Sequence, residues 1–186
     1  MKVHQKPSMS QGGDEIRYPI GQFRVDPFPT AAKHEEWIAQ LAALPESLRA
    51  ALDGLSDPQL DTPYRDGGWT LRQITHHVAD EHLNAFQYFK MALTEDAPAI
   101  RKYSEPAWAE TSDARRAPPQ WSLLLLTGLH ARWAHLLRSL VPRDLARVYV
   151  HPSRGRVSLA EGLQLYAWHG LHHTAQITNA RARASW

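Results

Sequence analysis

His169 and His173 stand four residues apart in the segment YAWHGLHH. On an α-helix that spacing stacks two imidazoles on one face, within reach of a single metal ion. A third histidine, His77 in THHVADEH, lies far earlier in the chain. It can join the pair only if two helices pack face to face, which restricts the chain to a helical core. Three neutral nitrogen ligands inside a bundle leave coordination positions open, as catalytic metal sites do and structural ones do not.

The rest of the sequence supplies the helices. Trp37, Leu41, Leu44, Leu48 and Leu52 recur at helical spacing and predict a first helix from Thr30 to about Asp53, kinked or split at Pro45. The stretch GLSDPQLDTPYRDGGW is turn-rich. Thr70, with Gln73 three residues on, predicts a capping box and a second helix to about Thr94. Residues 95–120 contain Pro98, Pro106, Pro118 and Pro119 and read as a long connection, of the kind that covers a site. A third helix is expected from about Ser122 to Leu140. RVYVHPSRGRVSL then suggests short extended pieces with a hairpin around Ser153–Gly155. Ser158 and Glu161 predict another capping box, opening a fourth helix to about Arg183.

These elements predict an all-α protein, a four-helix bundle with long connections between helices 2 and 3 and helices 3 and 4. The long crossovers argue against simple up-down-up-down connectivity. Residues 1–16 are polar, carry Gly12-Gly13, and are expected to form a flexible tail. Residues 17–186 are then a single domain, opening with the extended lead-in RYPIGQFRVDPFP.

Composition excludes several classes. The chain has no cysteine, so it forms no disulfide, no thiolate zinc site and no thiol nucleophile of its own. Its 21 basic and 19 acidic residues leave a formal charge of +2 with no Lys/Arg run, which argues against nucleic acid as a partner. The N-terminal segment has no apolar core of the kind a signal peptide needs, and the LLLL run at 123–126 is too short to span a membrane. A cytoplasmic protein without membrane contact is expected.

Periodicity sorts the eleven histidines. In the second helix the inward stripe runs through Ile74, Val78, Ala85, Tyr88 and Ala92, and His77 and Glu81 fall on it. His76, Asp80 and His82 fall off it, toward solvent or a flank. In the fourth helix Leu159, Leu163, Tyr166, Gly170, Ile177 and Ala180 mark a stripe that includes His169 and His173, with His172 at its edge. His130 in the third helix also faces inward, and a packing and hydrogen-bonding role is expected for it. A lone inward histidine is usually a hydrogen-bonded core residue. Three on facing stripes make a stronger case for a metal.

Several segments together identify a family. RYPIGQF, QLDTPYRDGGWTLRQITHHVADEHLNAF, KMALTED, LHARW and YAWHGLHHTAQI resemble the YfiT-like branch of the DinB-like proteins, over nearly the whole chain from Arg17 to Trp186. That branch comprises metal-dependent hydrolases, and the bacillithiol transferase belongs to it too. The resemblance implies a DinB-type four-helix bundle, a homodimer, and one divalent metal, zinc or nickel, held by His77, His169 and His173. This chain has Gln176 where some members of the family have histidine, and Glu81 where a small polar residue is usual. Gln176 is one turn below His172 and His173, where it would support a ligand. Glu81 is one turn from His77, where it would orient that ring or touch a metal-bound water.

The chemistry expected is hydrolysis of a small molecule by an activated water, with Glu81 or Asp80 managing protons. For Asp80, a solvated pairing with His76 or a basic residue is the simpler expectation. The alternative is a thiol S-transferase: a low-molecular-weight thiol from a cosubstrate takes the water's place and attacks an electrophile. Tyr64, Arg65 and the 95–120 connection are candidates to line its pocket. A third reading is a non-catalytic metal-binding or interaction bundle, in which Trp37, Trp69 and Trp133 are core and Trp168 meets another subunit.

Overall fold

The computed structural model describes residues 11–186. Its long helices are α2 (Ala31–Leu52), α4 (Leu71–Thr94), α7 (Pro119–Arg138) and α9 (Leu159–Ala184). Short helices fill the connections: α1 (Gln11–Arg17), α3 (Asp57–Leu60), α5 (Glu105–Ala109), α6 (Ser112–Arg116) and α8 (Pro142–Leu145). A two-stranded antiparallel hairpin, β1 (Val148–His151) and β2 (Gly155–Ser158), pairs Val148 with Ser158 and His151 with Gly155. None of the described helices is long and apolar enough to cross a membrane.

The four long helices form a ring in which α2 and α4 each pack chiefly against α7 and α9. The successive pairs α2/α4 and α7/α9 therefore lie on diagonals. The connections after α2 and α7 must cross an end of the bundle, which is why they are long.

Local chemistry sets the helix starts. The Thr70 hydroxyl accepts from the Gln73 amide (3.1 Å) and the Gln73 side chain accepts from the Thr70 amide (3.0 Å), completing the expected capping box. At Ser158 only half of the box is made: its hydroxyl accepts from the Glu161 amide at 3.1 Å, with no return bond from Glu161. Helix α7 begins at Pro119, earlier than expected, because proline at the first turn sacrifices no hydrogen bond. Helix α2 runs unbroken through Pro45. Residues 11–16, expected to belong to a flexible tail, form α1 together with Arg17, expected in an extended lead-in; this helix packs against α9 and is tied there by Gln176 donating to the Arg17 carbonyl (2.9 Å). The remainder of that expected tail, 1–10, lies outside the described residues.

Apolar packing falls into two clusters. One gathers around Trp37, Leu41, Phe89, Trp133, Leu163 and Tyr166, the other around Leu48, Leu71, Ile74, Leu126 and Ile177. On every long helix there is a break between them, and there α4 carries His82, α7 carries His130, and α9 carries His169 and His173, with His77 reaching His169 from the turn of α4 before it. The bundle thus holds a polar layer between two apolar ones. Gly170 belongs to this layer: a Cβ there would stand 2.6 Å from Leu44 Cδ2, so glycine lets α2 and α9 approach closely beside the histidines.

Candidate metal centre

Helices α4 and α9 bring His77, His169 and His173 together, with one nitrogen from each ring all within 4.8 Å of one another. His77 Nε2 is 3.2 Å from His169 Nε2. Each ring is held from behind by its other nitrogen. His173 Nδ1 lies 2.8 Å from Gln176 Oε1, His169 Nδ1 lies 3.1 Å from His82 Nε2, and His77 Nδ1 lies 3.4 Å from the Tyr103 hydroxyl. Gln176 itself is oriented by donating to the Arg17 carbonyl, so its Oε1 must be the atom facing His173.

Burial keeps the rings neutral. It lowers His77 to about 4 and holds His169 and His173 well below the usual imidazole range, with neighbouring histidines adding to the depression of each. All three therefore carry a free lone pair at neutral pH, the form a metal ion requires.

The cluster lies in the wall of a cavity of about 740 Å³. Glu81 lines the same cavity, and burial raises its carboxyl above the ordinary range, opposed by a hydrogen bond from Tyr103. Asp80 is placed differently. It does not line the cavity, and its carboxyl is pushed up to about 6 by burial and by Asp113. The pairing expected between Asp80 and His76 is absent, because His76 instead contacts the Ser122 hydroxyl (2.7 Å) and the Ala117 carbonyl (3.0 Å).

The cavity's cations outnumber its anions. Lys102 pairs with Glu105 at 3.1 Å, while Arg17, Arg65 and Arg154 line the wall with no carboxylate partner among the described residues. Tyr64 and Arg65, expected as lining residues, are both there, and Tyr103 comes from the 95–120 connection. Trp168, expected at a subunit contact, stacks on His172 (4.6 Å between centroids) and lines the cavity. Trp69, expected in the core, packs on His77 at 4.7 Å, also in the cavity wall.

Two residues were misplaced by periodicity. His76 and His82, read as solvent-facing or flanking, are both buried. Helix α4 is covered by α7 and α9 on one side and by α5 and α6 on the other, so its buried arc is far wider than one stripe.

The DinB superfamily profile matches residues 34–177, which span all four long helices and the three histidines. The chain belongs to the DinB superfamily. A protein of Bacillus mycoides (strain KBAB4), provisionally named a metal-dependent hydrolase, is 48% identical over 92% of this chain and 99% of its own. A Geobacillus thermodenitrificans protein with the same provisional name is 50% identical over 93% of this chain and 98% of its own. Among solved structures, YfiT from Bacillus subtilis, described as a four-helix bundle of unusual topology and provisionally as a metal-dependent hydrolase, superposes with a TM-score of 0.90 at 44% identity. That match covers 92% of this chain and 99% of YfiT. The four-helix bundle protein TT2238 shares the fold at 20% identity, with a TM-score of 0.53 over 82% of this chain and 99% of its own.

Proposed function

We propose that this protein is a metal-dependent hydrolase of small molecules, in which His77, His169 and His173 hold one divalent ion, zinc or nickel. The observation that carries this reading is the convergence of one ring nitrogen from each of the three histidines, all within 4.8 Å of one another, with His77 and His169 meeting through Nε2. Gln176 Oε1 only accepts, so His173 must donate to it through Nδ1–H and keep a bare Nε2. Tyr103 stands behind His77 Nδ1 at 3.4 Å, and with its hydroxyl proton turned toward Glu81 its oxygen accepts from His77 Nδ1–H and bares His77 Nε2 in turn. His77 Nε2 faces His169 Nε2 at 3.2 Å, a separation at which two bare nitrogens repel unless a proton or a cation lies between them. Hydrogen bonds from behind to every ligating imidazole are the usual support of such a site.

When bound there, a divalent cation supplies Lewis acidity to a carbonyl or phosphoryl oxygen and acidifies a coordinated water or thiol. The protein's own groups do the rest. Glu81, with its carboxyl raised toward neutrality by burial, takes up and returns a proton on the cavity side of His77. Tyr103 holds that carboxylate by its hydroxyl and covers the site from the 95–120 connection. Arg17, Arg65 and Arg154 favour a substrate that carries negative charge.

The test is elemental analysis of the purified protein beside His77→Ala and His173→Ala. One divalent ion per chain, absent from both variants, supports the site. No ion in protein prepared without chelators, or retention in both variants, refutes it. Turnover of anionic esters or amides by the loaded protein then identifies a hydrolase. Turnover only of an electrophile, and only with an added low-molecular-weight thiol, identifies an S-transferase instead.

A further inference from the structure

Behind His169 lies a line of side chains that the metal reading does not use. His169 Nδ1 is 3.1 Å from His82 Nε2, His82 Nδ1 is 3.1 Å from His130 Nε2, and His130 Nδ1 is 2.5 Å from the Leu41 carbonyl oxygen. His82 and His130 are both buried, and their rings stack at 5.0 Å between Trp133 and the helices. Three of the bundle's four long helices meet along this line, and α2 supplies its end.

The end of the line fixes every proton in it. A carbonyl oxygen only accepts, so His130 must donate through Nδ1–H. Burial keeps that ring neutral, at about 4, so its Nε2 has no proton and accepts from His82 Nδ1–H. With its ring proton on Nδ1, His82 presents a bare Nε2 that in turn accepts from His169 Nδ1–H at 3.1 Å. His169 is left with a bare Nε2 directed at His77.

We propose that His82 and His130 are positioning residues: a hydrogen-bonded relay anchored on the Leu41 carbonyl fixes His169 as its Nδ1–H tautomer and presents its Nε2 to the metal. The proposal rests on His169 being a ligand. It goes beyond that assignment by making α2 and α7, which supply no ligand, determine the state of one. A free imidazole exchanges between two tautomers and rotates about its side-chain bonds. Within the relay either change at His169 breaks its bond to His82 and strands the bare His82 Nε2 in a buried layer, and shifting all three tautomers together would aim a bare His130 Nδ1 at the Leu41 carbonyl oxygen; unpaired polar atoms there are strongly disfavoured.

The experiment combines long-range proton–nitrogen NMR of ¹⁵N-histidine-labelled, metal-free protein with zinc titration against a competing chromophoric chelator. Wild type is compared with His82→Phe, which removes the relay, and His82→Gln, whose Oε1 can occupy the position of imidazole Nε2. The expected wild-type spectrum shows His169 protonated at Nδ1 alone. His82→Phe mixes the tautomers and weakens zinc binding by about 10–100-fold, the range found when the partner behind a ligating histidine is lost. His82→Gln retains the tautomer and most of the affinity, which a merely space-filling role for His82 would not explain.

Wild-type His169 protonated at Nε2 overturns the proposal, and does so even if His82→Phe fails to fold. Wild-type tautomer and affinity in His82→Phe overturn it as well. Wild type that shows the Nδ1–H tautomer and takes up neither zinc nor nickel supports the relay and refutes the metal reading, so the two failures are distinct.

Discussion

Acidification tests the buried histidine layer most directly, and His130 isolates a single group within it. Burial lowers its pKa from the ordinary 6.5 to about 4. The unfolded chain therefore binds a proton at His130 between pH 6.5 and about 4 while the folded protein does not. The stabilisation is whole above 6.5 and is lost as pH falls toward 4. The full shift corresponds to about 3 kcal/mol, at about 1.4 kcal/mol per unit. At about pH 5.5 the difference is about 0.9 proton, a slope of about 1.2 kcal/mol per pH unit. His77 and His172, also held at about 4, act in the same direction. Asp80, raised from 3.8 to about 6, acts in the opposite one, since the folded state protonates it first. Comparing wild type with His130→Asn removes these shared contributions. Urea unfolding of chelator-treated protein, followed by circular dichroism from about pH 7.5 to about pH 4.5, should find wild type the more stable at neutral pH. The gap should close by about 2 kcal/mol between about pH 6.5 and about pH 4.5. A gap constant across that range would mean that His130 titrates alike folded and unfolded. Its Nε2 would then not be a dependable acceptor, and the relay argument would fall with it.

Three further outcomes are expected. Glu81→Gln should keep its zinc and lose about 10²–10⁴-fold in kcat/KM on whichever substrate wild type turns over; undiminished turnover would remove Glu81 from the proton-handling role. Gln176→Leu leaves His173 Nδ1–H and the Arg17 carbonyl without their partner, so thermal unfolding should report a loss of about 1–3 kcal/mol. Zinc affinity should fall about 10–100-fold in the same variant, and unchanged affinity would show that His173 needs no support from behind. Gly170→Ala drives a methyl group into Leu44 and should destabilise by about 1–3 kcal/mol. The loss should shrink in a Leu44→Ala background, whereas equal losses in both would refute the contact.

Sequence and structure agree where a property depends on one helix and differ where it depends on how helices surround one another. The Thr70 capping box and the inward placement of His77, His169 and His173 follow from spacing within single segments, and each is found. Gln176 likewise sits one turn beyond the His172–His173 pair, and it does bond to His173. His82 shows where that reasoning stops. Five residues from His77, it points about 140° away around the helix at about 100° per residue, so one apolar stripe cannot hold both. It is buried because α4 packs against α7 and α9 at once, and the gap between those neighbours faces His82 as squarely as α9 faces His77. Burial of His76 depends on α5, α6 and residues 117–122, which fold over α4 in a stretch whose four prolines announced only a connection. Tyr103 is the same case. Nothing in its neighbours marks it, yet the crossover carries its hydroxyl to His77 and Glu81. The spacing that predicts three ligands is therefore silent on what holds two of them, His77 and His169, in place. Those supports come from other helices and from the long connection between the neighbouring helices α4 and α7, which sets Tyr103 over the site.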